Sequence, residues 1–328
     1  MEHKKVKYYE YQIYSALNPQ LMVEYNAMFE SGNISIGTEI SPHMIYESFI
    51  IKDEIVAMKY KNLKERNEFI LEAIETYLQA IELKKELEIL YKILENYEKI
   101  RKLILSAYKY DKTTEFSKIL EINAKIRELN INLDFLKAKY NNLMITLNYY
   151  AKIDSIEDIE SIPKLKDYKL EETVDYNMLS YELKTIENSL KLSYIKLVPN
   201  VKPMVLIRKD NTYGFMIGFT INTFPLGEIK TRVKLKDAYR NYYSSSIEYI
   251  KLEIERTISE YKLSVSQYEL YKSRRDELMT TLNISKLLGD ISLVEYYYNL
   301  NEILNMEREI NRLKYNAILS YYKLKFMF

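Results

Sequence analysis

Two long stretches of this chain repeat apolar residues at alternating steps of three and four, the spacing that aligns them along one side of a helix. In the first, Leu83, Leu87, Leu90, Leu94, Tyr97, Ile104 and Tyr108 keep heptad register, with Arg101 in the one polar slot. Ile93, Ile100 and Leu103 add a second apolar stripe, so this helix is expected to pack against neighbours on both sides. The pattern predicts a helix over 49–108, which contains neither Gly nor Pro. About 60 residues at 1.5 Å each would reach roughly 90 Å. The second stretch, over 228–288, repeats the spacing with Ile247, Ile250, Ile254, Ile258, Tyr261, Val265 and Tyr268. A short polar break follows each: Tyr110-Asp111-Lys112-Thr113-Thr114 and Leu288-Gly289-Asp290-Ile291-Ser292. Each break leads into a return helix. The second of these carries Ile303, Met306, Ile310, Leu313, Ala317 and Leu324, with Ser320 in register. Two long antiparallel helical hairpins are therefore expected.

Ahead of each hairpin the period changes from 3.6 to 2, which predicts strands. Tyr213, Phe215, Ile217, Phe219 and Ile221 fall on one face; Gly214, Met216, Gly218, Thr220 and Asn222 fall on the other. A preceding strand over 201–209 puts Val201, Pro203, Val205 and Ile207 together, and Asp210-Asn211-Thr212 is the turn between the two. A large apolar and aromatic face opposite small or polar residues is the pattern of a membrane β-barrel strand, although a half-buried hairpin carries it too. Three or four strands are too few for a soluble sheet and would close only by oligomerising, or leave edges exposed.

Ile34-Ser35-Ile36-Gly37-Thr38-Glu39-Ile40 matches Phe215-Met216-Ile217-Gly218-Phe219-Thr220-Ile221, and each leads to a Pro, Pro42 or Pro225, before its long helix. The offset of roughly 180 residues reads as an internal duplication. The expected division is a first repeat over 1–160 (helix, strand, long helical hairpin) and a second over 161–328 (helix, β-hairpin, long helical hairpin). A polar linker over 154–172 joins them. In the first repeat only 33–41 reads as a strand; 21–29 reads as helix.

Composition narrows the classes. Gly and Pro number 6 each in 328 residues, so turns are few and a compact α/β enzyme is not expected. The 48 basic against 47 acidic residues leave no long-range field for nucleic acid. The absence of Cys removes disulfides, thiolate metal sites and Cys nucleophiles. No stretch approaches the length of a membrane-spanning helix. Met1-Glu2-His3-Lys4-Lys5-Val6 has no apolar core or cleavage site, so either the chain is cytosolic or an export signal lies outside the sequence.

Several strings together resemble the TolC-like outer membrane efflux family. Asn18-Pro19-Gln20-Leu21 is similar to the element that opens each of its repeats, and Asn177 to Pro199 to its helix that ends in Pro before a strand. Gly218-Phe219-Thr220-Ile221-Asn222-Thr223-Phe224-Pro225-Leu226-Gly227 resembles its strand running through a Pro-Leu turn into the long helix. Leu288-Gly289-Asp290-Ile291-Ser292-Leu293-Val294-Glu295-Tyr296 resembles its helical tip. The resemblance implies a mainly α fold with short membrane β-strands and two tandem repeats. It implies a homotrimer with one shared β-barrel in the outer membrane and an α-helical barrel, a long tube, in the periplasm. Substrate would pass from an inner-membrane pump of RND, ABC or MFS type, joined by a periplasmic adaptor, in efflux or type I secretion.

Enzyme signals are sparse, and neither a catalytic residue nor a cofactor is expected. His3 and His43 are far apart, without a partner at ligand spacing, and read as surface residues. Gly214-Phe215-Met216-Ile217-Gly218 lies in a strand and lacks the Lys-Ser/Thr of a phosphate loop. Tyr296-Tyr297-Tyr298 reads as packing. The tips, Asp111, Thr113 and Thr114 with Gly289, Asp290, Ser292 and Leu293, are the candidate adaptor contact or gate; each also fits a plain helix turn. Tyr213, Phe215, Ile217, Phe219 and Ile221 are expected to face lipid, and Met216, Thr220 and Asn222 to line the pore. Two rival classes fit parts of the pattern. A cytosolic coiled-coil scaffold explains the heptads but not the repeated alternating strands, and a soluble pore-forming toxin explains the strands but not the duplication.

Overall fold

The structure is a computed structural model that describes residues 20–26, 33–39, 42–110, 116–153, 155–208, 212–220 and 226–328. The elements run β1 (Gln20–Asn26), β2 (Asn33–Glu39), α1 (Pro42–Tyr110), α2 (Phe116–Tyr150), a 3-10 turn (Leu170–Glu172), α3 (Val174–Ile195), β3 (Asn200–Ile207), β4 (Tyr213–Thr220), α4 (Leu226–Leu288) and α5 (Leu293–Met327). The protein is mostly helical, with α1 of 69 residues and α4 of 63. Pro42 opens α1, where its fixed φ suits the first turn and its missing N–H removes no helical bond. Thr173 caps α3 by accepting from the Tyr176 N–H at 3.1 Å.

The chain divides into two compact units, 1–66 with 168–252 and 327–328, and 67–167 with 253–326. In the second unit, both stripes of α1 are used. Leu83, Leu90 and Ile104 of one stripe and Ile93 and Ile100 of the other are buried. Three apolar clusters succeed one another along α1. The first joins Leu78 and Ile81 to Leu147, Tyr315 and Ile318; the second joins Leu90 and Ile93 to Leu133, Leu136 and Leu304. The third joins Ile100 and Ile104 to Ile119, Ile122 and Ile126. Asn96 and Asn301 share a buried hydrogen bond of 2.8 Å, Nδ2 donating to Oδ1, between the second cluster and the third. The α4 segment of this unit buries Ile254, Thr257 and Tyr261.

Residues 155–167, expected as a polar linker, form a strap on this unit. Ile156 is buried in the first cluster. The Tyr77 hydroxyl donates to the Glu157 carbonyl at 3.0 Å and accepts its N–H at 3.1 Å. The Lys84 ammonium and Tyr261 hydroxyl donate to the carbonyls of Ile156 and Pro163. Asp158 accepts from Tyr315 at 2.9 Å and Lys314 at 3.2 Å. Burial alone would push the Asp158 carboxyl up, but the hydrogen bonds from Tyr315 and Lys314 outweigh it and hold it below the usual range.

The first unit holds one antiparallel sheet in the order β1-β2-β3-β4. This corrects the expectation for 21–29: Gln20–Asn26 is a strand, giving the first half two strands. The physical reason is pairing. Gln20 to Asn26 matches Glu39 to Asn33 residue for residue, and a ladder of seven residue pairs overrides a weak local helical preference. Gly37 is needed where β2 meets β3. A Cβ there would stand 2.9 Å from the Met204 Cα and would collide with the Pro203 carbonyl oxygen.

Candidate functional site: the amphipathic sheet and the helical tip

In an antiparallel sheet, directly opposed residues share a face, so the register fixes both faces. Tyr213, Phe215, Ile217 and Phe219 of β4 oppose Ile207, Val205, Pro203 and Val201 of β3. Ile34 and Ile36 of β2 oppose Ile207 and Val205, and on β1 Val23 and Tyr25 oppose Ile36 and Ile34. With Leu21 and its partner Thr38, every position of this face is apolar or aromatic except Thr38. Along β4 this face is exposed: Phe215 is 70% exposed, Ile217 51% and Phe219 68%. A patch of aromatic and branched side chains this continuous marks a surface that meets something apolar.

The opposite face has another chemistry. It carries Gln20, Glu24 and Asn26 on β1, Asn33, Ser35 and Glu39 on β2, and Asn200 and Lys202 on β3. On β4 it carries Gly214, Met216, Gly218 and Thr220. The expected lipid-facing residues Tyr213, Phe215, Ile217 and Phe219 thus lie together on the apolar face, and Met216 and Thr220 on the other. Ile221 and Asn222 lie outside the described residues.

Helices of the same unit are tied to one another by polar and charged contacts. Asp53 of α1, buried, accepts from Asn188 Nδ2 at 2.8 Å and pairs with Lys184 Nζ at 3.2 Å, both on α3. The Tyr239 hydroxyl of α4 donates to Glu182 of α3; burial, then the adjacent carboxylate, pushes its pKa far up, so it stays protonated. At the start of α4, Glu228 accepts from Ser193, Lys196 and Arg232. Those bonds outweigh its desolvation and hold the carboxyl below its usual value.

In the second unit, α4 ends at a tightly specified turn. Gly289 has φ +75°. Its N–H donates to the Lys286 carbonyl and the Asp290 N–H to the Ser285 carbonyl, the Schellman pair that satisfies the last carbonyls of a helix. Two residues later α5 begins with a capping box. Ser292 Oγ accepts the Glu295 N–H at 3.2 Å, while Glu295 Oε2 accepts the Ser292 N–H at 2.9 Å. Those bonds, the backbone one foremost, hold the Glu295 carboxyl below its usual value. Gly289, Asp290, Ser292 and Leu293 therefore do form one turn. Asp111, Thr113 and Thr114 lie outside the described residues.

Beside the selected Leu293, the tip also exposes two apolar side chains that sequence reasoning did not select: Leu287 at 86% and Leu288. The heptad register held the signal, since both leucines fall past the last buried seam residues. Of the tyrosine triplet, Tyr297 packs on the third cluster and Tyr298 meets Tyr97 edge-on. The Lys286 ammonium sits 4.0 Å over the Tyr296 ring.

Two further apolar stripes are exposed. On α4, Leu235, Tyr242 and Tyr249 in the first unit, and Leu263, Leu270 and Ile284 in the second, are exposed at heptad intervals. On α2, Ile131, Phe135, Ile145 and Tyr149 are exposed on one side. Among the described residues no helix is long and apolar enough to cross a membrane, and no group of three or more His, Asp or Glu could hold a metal ion.

No family model matches the chain, and no curated protein matches it by sequence. Solved structures do match. The chain is similar to CusC, studied for conformational changes accompanying folding and transmembrane channel formation, at TM-score 0.72 and 14% identity, over 99% of this chain and 87% of that one. It is similar to the Campylobacter jejuni CmeC outer membrane channel at TM-score 0.67 and 15% identity, over 98% and 81%. It is also similar to the open state of the Neisseria gonorrhoeae MtrE outer membrane channel, at TM-score 0.66 and 11% identity, over 98% and 84%. The fold of this chain is that of the TolC-like outer membrane channels.

Proposed function

We propose that this protein is the outer membrane channel of a tripartite efflux or type I secretion system, a homotrimer whose sheets join into one β-barrel. The observation that carries it is the sheet. One face is apolar or aromatic at every position but one and is exposed along β4, and the other is polar, small or methionine except for Leu206. Such a sheet buries its apolar face in lipid and turns the other to water. Four strands with free edges cannot stand alone in a membrane, where every backbone polar group needs a partner. Three copies give twelve strands, an even number within the range of such barrels.

The exposed heptad stripes of α2 and α4 suit the same assembly: side by side, three chains would cover them and close an α-helical barrel in the periplasm. The halves 1–160 and 161–328 act as tandem repeats in this reading, each contributing two strands and one hairpin. The wall needs no catalysis, since a wet lumen and a gate suffice for conduction. The capped turn at Gly289–Leu293 would meet the periplasmic adaptor, which joins the duct to an inner-membrane pump.

The test is fractionation of cells expressing the full-length gene, then light scattering on the detergent-solubilised protein. Three chains recovered from the outer membrane are expected. A soluble monomer or dimer in the cytosol would overturn the barrel and the transport function. For the tip, charge reversal at Asp290 is expected to weaken adaptor binding; undiminished adaptor binding by the trimer would refute that role.

A further inference from the structure

Charge is unevenly spread along α4. Residues 226–240, its first turns, carry Lys230, Arg232, Lys234, Lys236 and Arg240 against Glu228 and Asp237, in a chain whose net charge is +1. Over 248–260 the same helix returns to mixed signs, with Glu248, Glu253, Glu255 and Glu260 beside Lys251 and Arg256. The end of α3 adds Lys191 and, at its C-cap, Lys196. The fold does not require these charges. The matching start of α1, 42–51, follows β2 as α4 follows β4, and it contains neither Lys nor Arg.

The acidic side chains nearby are largely engaged. Glu228 accepts from both Lys196 and Arg232, and Glu187 pairs with Arg240 at 2.6 Å. Lys191, Lys230, Lys234 and Lys236 form no ion pair among the described residues. Lys191, Lys230 and Lys234 are exposed. Lys236 is half-buried in a groove between α3 and α4 that it shares with Lys191, Leu190, Tyr194 and Val233. Asp237 lines the groove too, one carboxylate against four ammonium groups. Lys230 and Lys234, Arg232 and Lys236, and Lys236 and Arg240 are like charges four residues apart, a spacing that is mildly unfavourable in water. An anionic surface would relieve all three.

These groups sit where the helices meet the sheet. The α4 helix begins at Leu226, shortly after β4 ends at Thr220, and α3 ends at Ile195, shortly before β3 begins at Asn200. At 1.5 Å per residue, Lys191 and Lys230 stand about 6 Å along their helices from those ends, Lys234 about 12 Å and Lys236 about 15 Å. Headgroups extend about 5–8 Å beyond the hydrocarbon on each side of a bilayer. The surface potential reaches about 8–10 Å further. With the sheet's apolar face in hydrocarbon, all four lysines fall within the field of the periplasmic leaflet. Tyr194 and Val198, both exposed, lie on the same short stretch before β3, and an exposed tyrosine beside lysines suits a membrane interface.

We propose that Lys191, Lys230, Lys234 and Lys236 form a basic patch that binds the phosphate headgroups of anionic phospholipid at the periplasmic surface of the membrane. The patch rests on the channel reading, since it needs the sheet to lie in lipid.

Phosphatidylglycerol is the probe. It is titrated against phosphatidylcholine into the purified full-length protein in neutral detergent, and native mass spectrometry counts the lipids retained. Wild type is expected to retain phosphatidylglycerol in preference, and added salt to weaken that preference. Each basic residue near an anionic surface contributes about fivefold in affinity. K191Q/K230Q/K234Q/K236Q should therefore raise the phosphatidylglycerol concentration for half-occupancy at least about a hundredfold. Gln forms helices as well as Lys does, so the variant keeps its helices, which circular dichroism checks. K191R/K230R/K234R/K236R should bind as wild type does. K102Q/K118Q/K139Q/K262Q, which removes the same charge from helices of the second unit, should change nothing. A phosphatidylglycerol preference that survives in K191Q/K230Q/K234Q/K236Q overturns the patch. So does a variant that keeps the preference and instead loses anion conductance across neutral planar bilayers, which would place the lysines in the lumen. Light scattering on the same samples separates the two readings. A trimer without the preference refutes the patch and leaves the channel standing, whereas a soluble monomer refutes the channel and the patch with it.

Discussion

Ile217 offers the sharpest distinction between a sheet in lipid and a sheet in water. It is the fifth of the eight residues of β4, opposite Pro203 and about half exposed. Eight residues at about 3.4 Å each reach about 27 Å. Tilted by about 40°, they cover about 21 Å along the membrane normal, against an apolar band of about 25 Å. Ile217 therefore stands near mid-depth. If its face meets lipid, Ile217→Arg places a guanidinium in hydrocarbon at a cost of about 2–4 kcal/mol per chain, or about 6–12 kcal/mol for three. If the face meets water, the same substitution falls within about 0.5 kcal/mol, the usual range for exposed positions. The two cases differ by at least a factor of about ten in the folding equilibrium of each chain. Thr220→Arg, on the polar face at the strand end, is the control and should be near neutral. The assay is denaturant-dependent folding of the full chain into lipid vesicles, read by resistance of the assembled band to unheated detergent gels. An Ile217→Arg protein that inserts with a midpoint within about 0.5 kcal/mol of wild type would refute the lipid-facing assignment.

The remaining predictions probe other levels of the structure. A cysteine at Thr220 should react with a small water-soluble thiol reagent in intact membranes while one at Phe219 should not, and equal labelling would mean that the faces are not lumen and lipid. Asn301→Leu should cost about 1–3 kcal/mol because it strands Asn96 in the core, whereas the double variant Asn96→Leu/Asn301→Leu should recover most of the loss. Thermal unfolding of all three variants checks this, and additive losses would contradict it. Gly289→Ala forces a side chain into the left-handed region at a cost of about 1–2 kcal/mol, visible as faster amide exchange across the turn and smaller for Gly289→Asn. Because its folded carboxyl is held below the ordinary value of 3.8, Asp158 contributes stability that is complete above that value and lost as pH falls through the folded one. Asp158→Asn should therefore unfold more easily than wild type near pH 6, with the gap narrowing as the pH falls below 3.8 and through the folded carboxyl's own value.

What the sequence determined by itself was whatever local period can carry. The seams of α1 and α4 repeat every three or four residues for many turns, so their helices and buried stripes were legible without a partner. Leu83, Ile93, Ile254 and Tyr261 are all buried as the spacing requires. The alternation around Phe215 marked two faces, and Gly289 before Asp290 marked a turn. The tertiary structure decided what depends on residues distant in the chain. Gln20–Asn26 is a strand only because β2 lies beside it, and its own composition did not reveal that. The 155–167 strap looked polar, yet Ile156 enters the core, and Asp158 is fixed by Lys314 and Tyr315, more than 150 residues away. Gly37 read as one small residue in an alternating strand; only the approach of β3 explains why a Cβ does not fit there. Met22, Met204 and Met216 are likewise far apart in sequence, and only the register of the sheet puts them at one height.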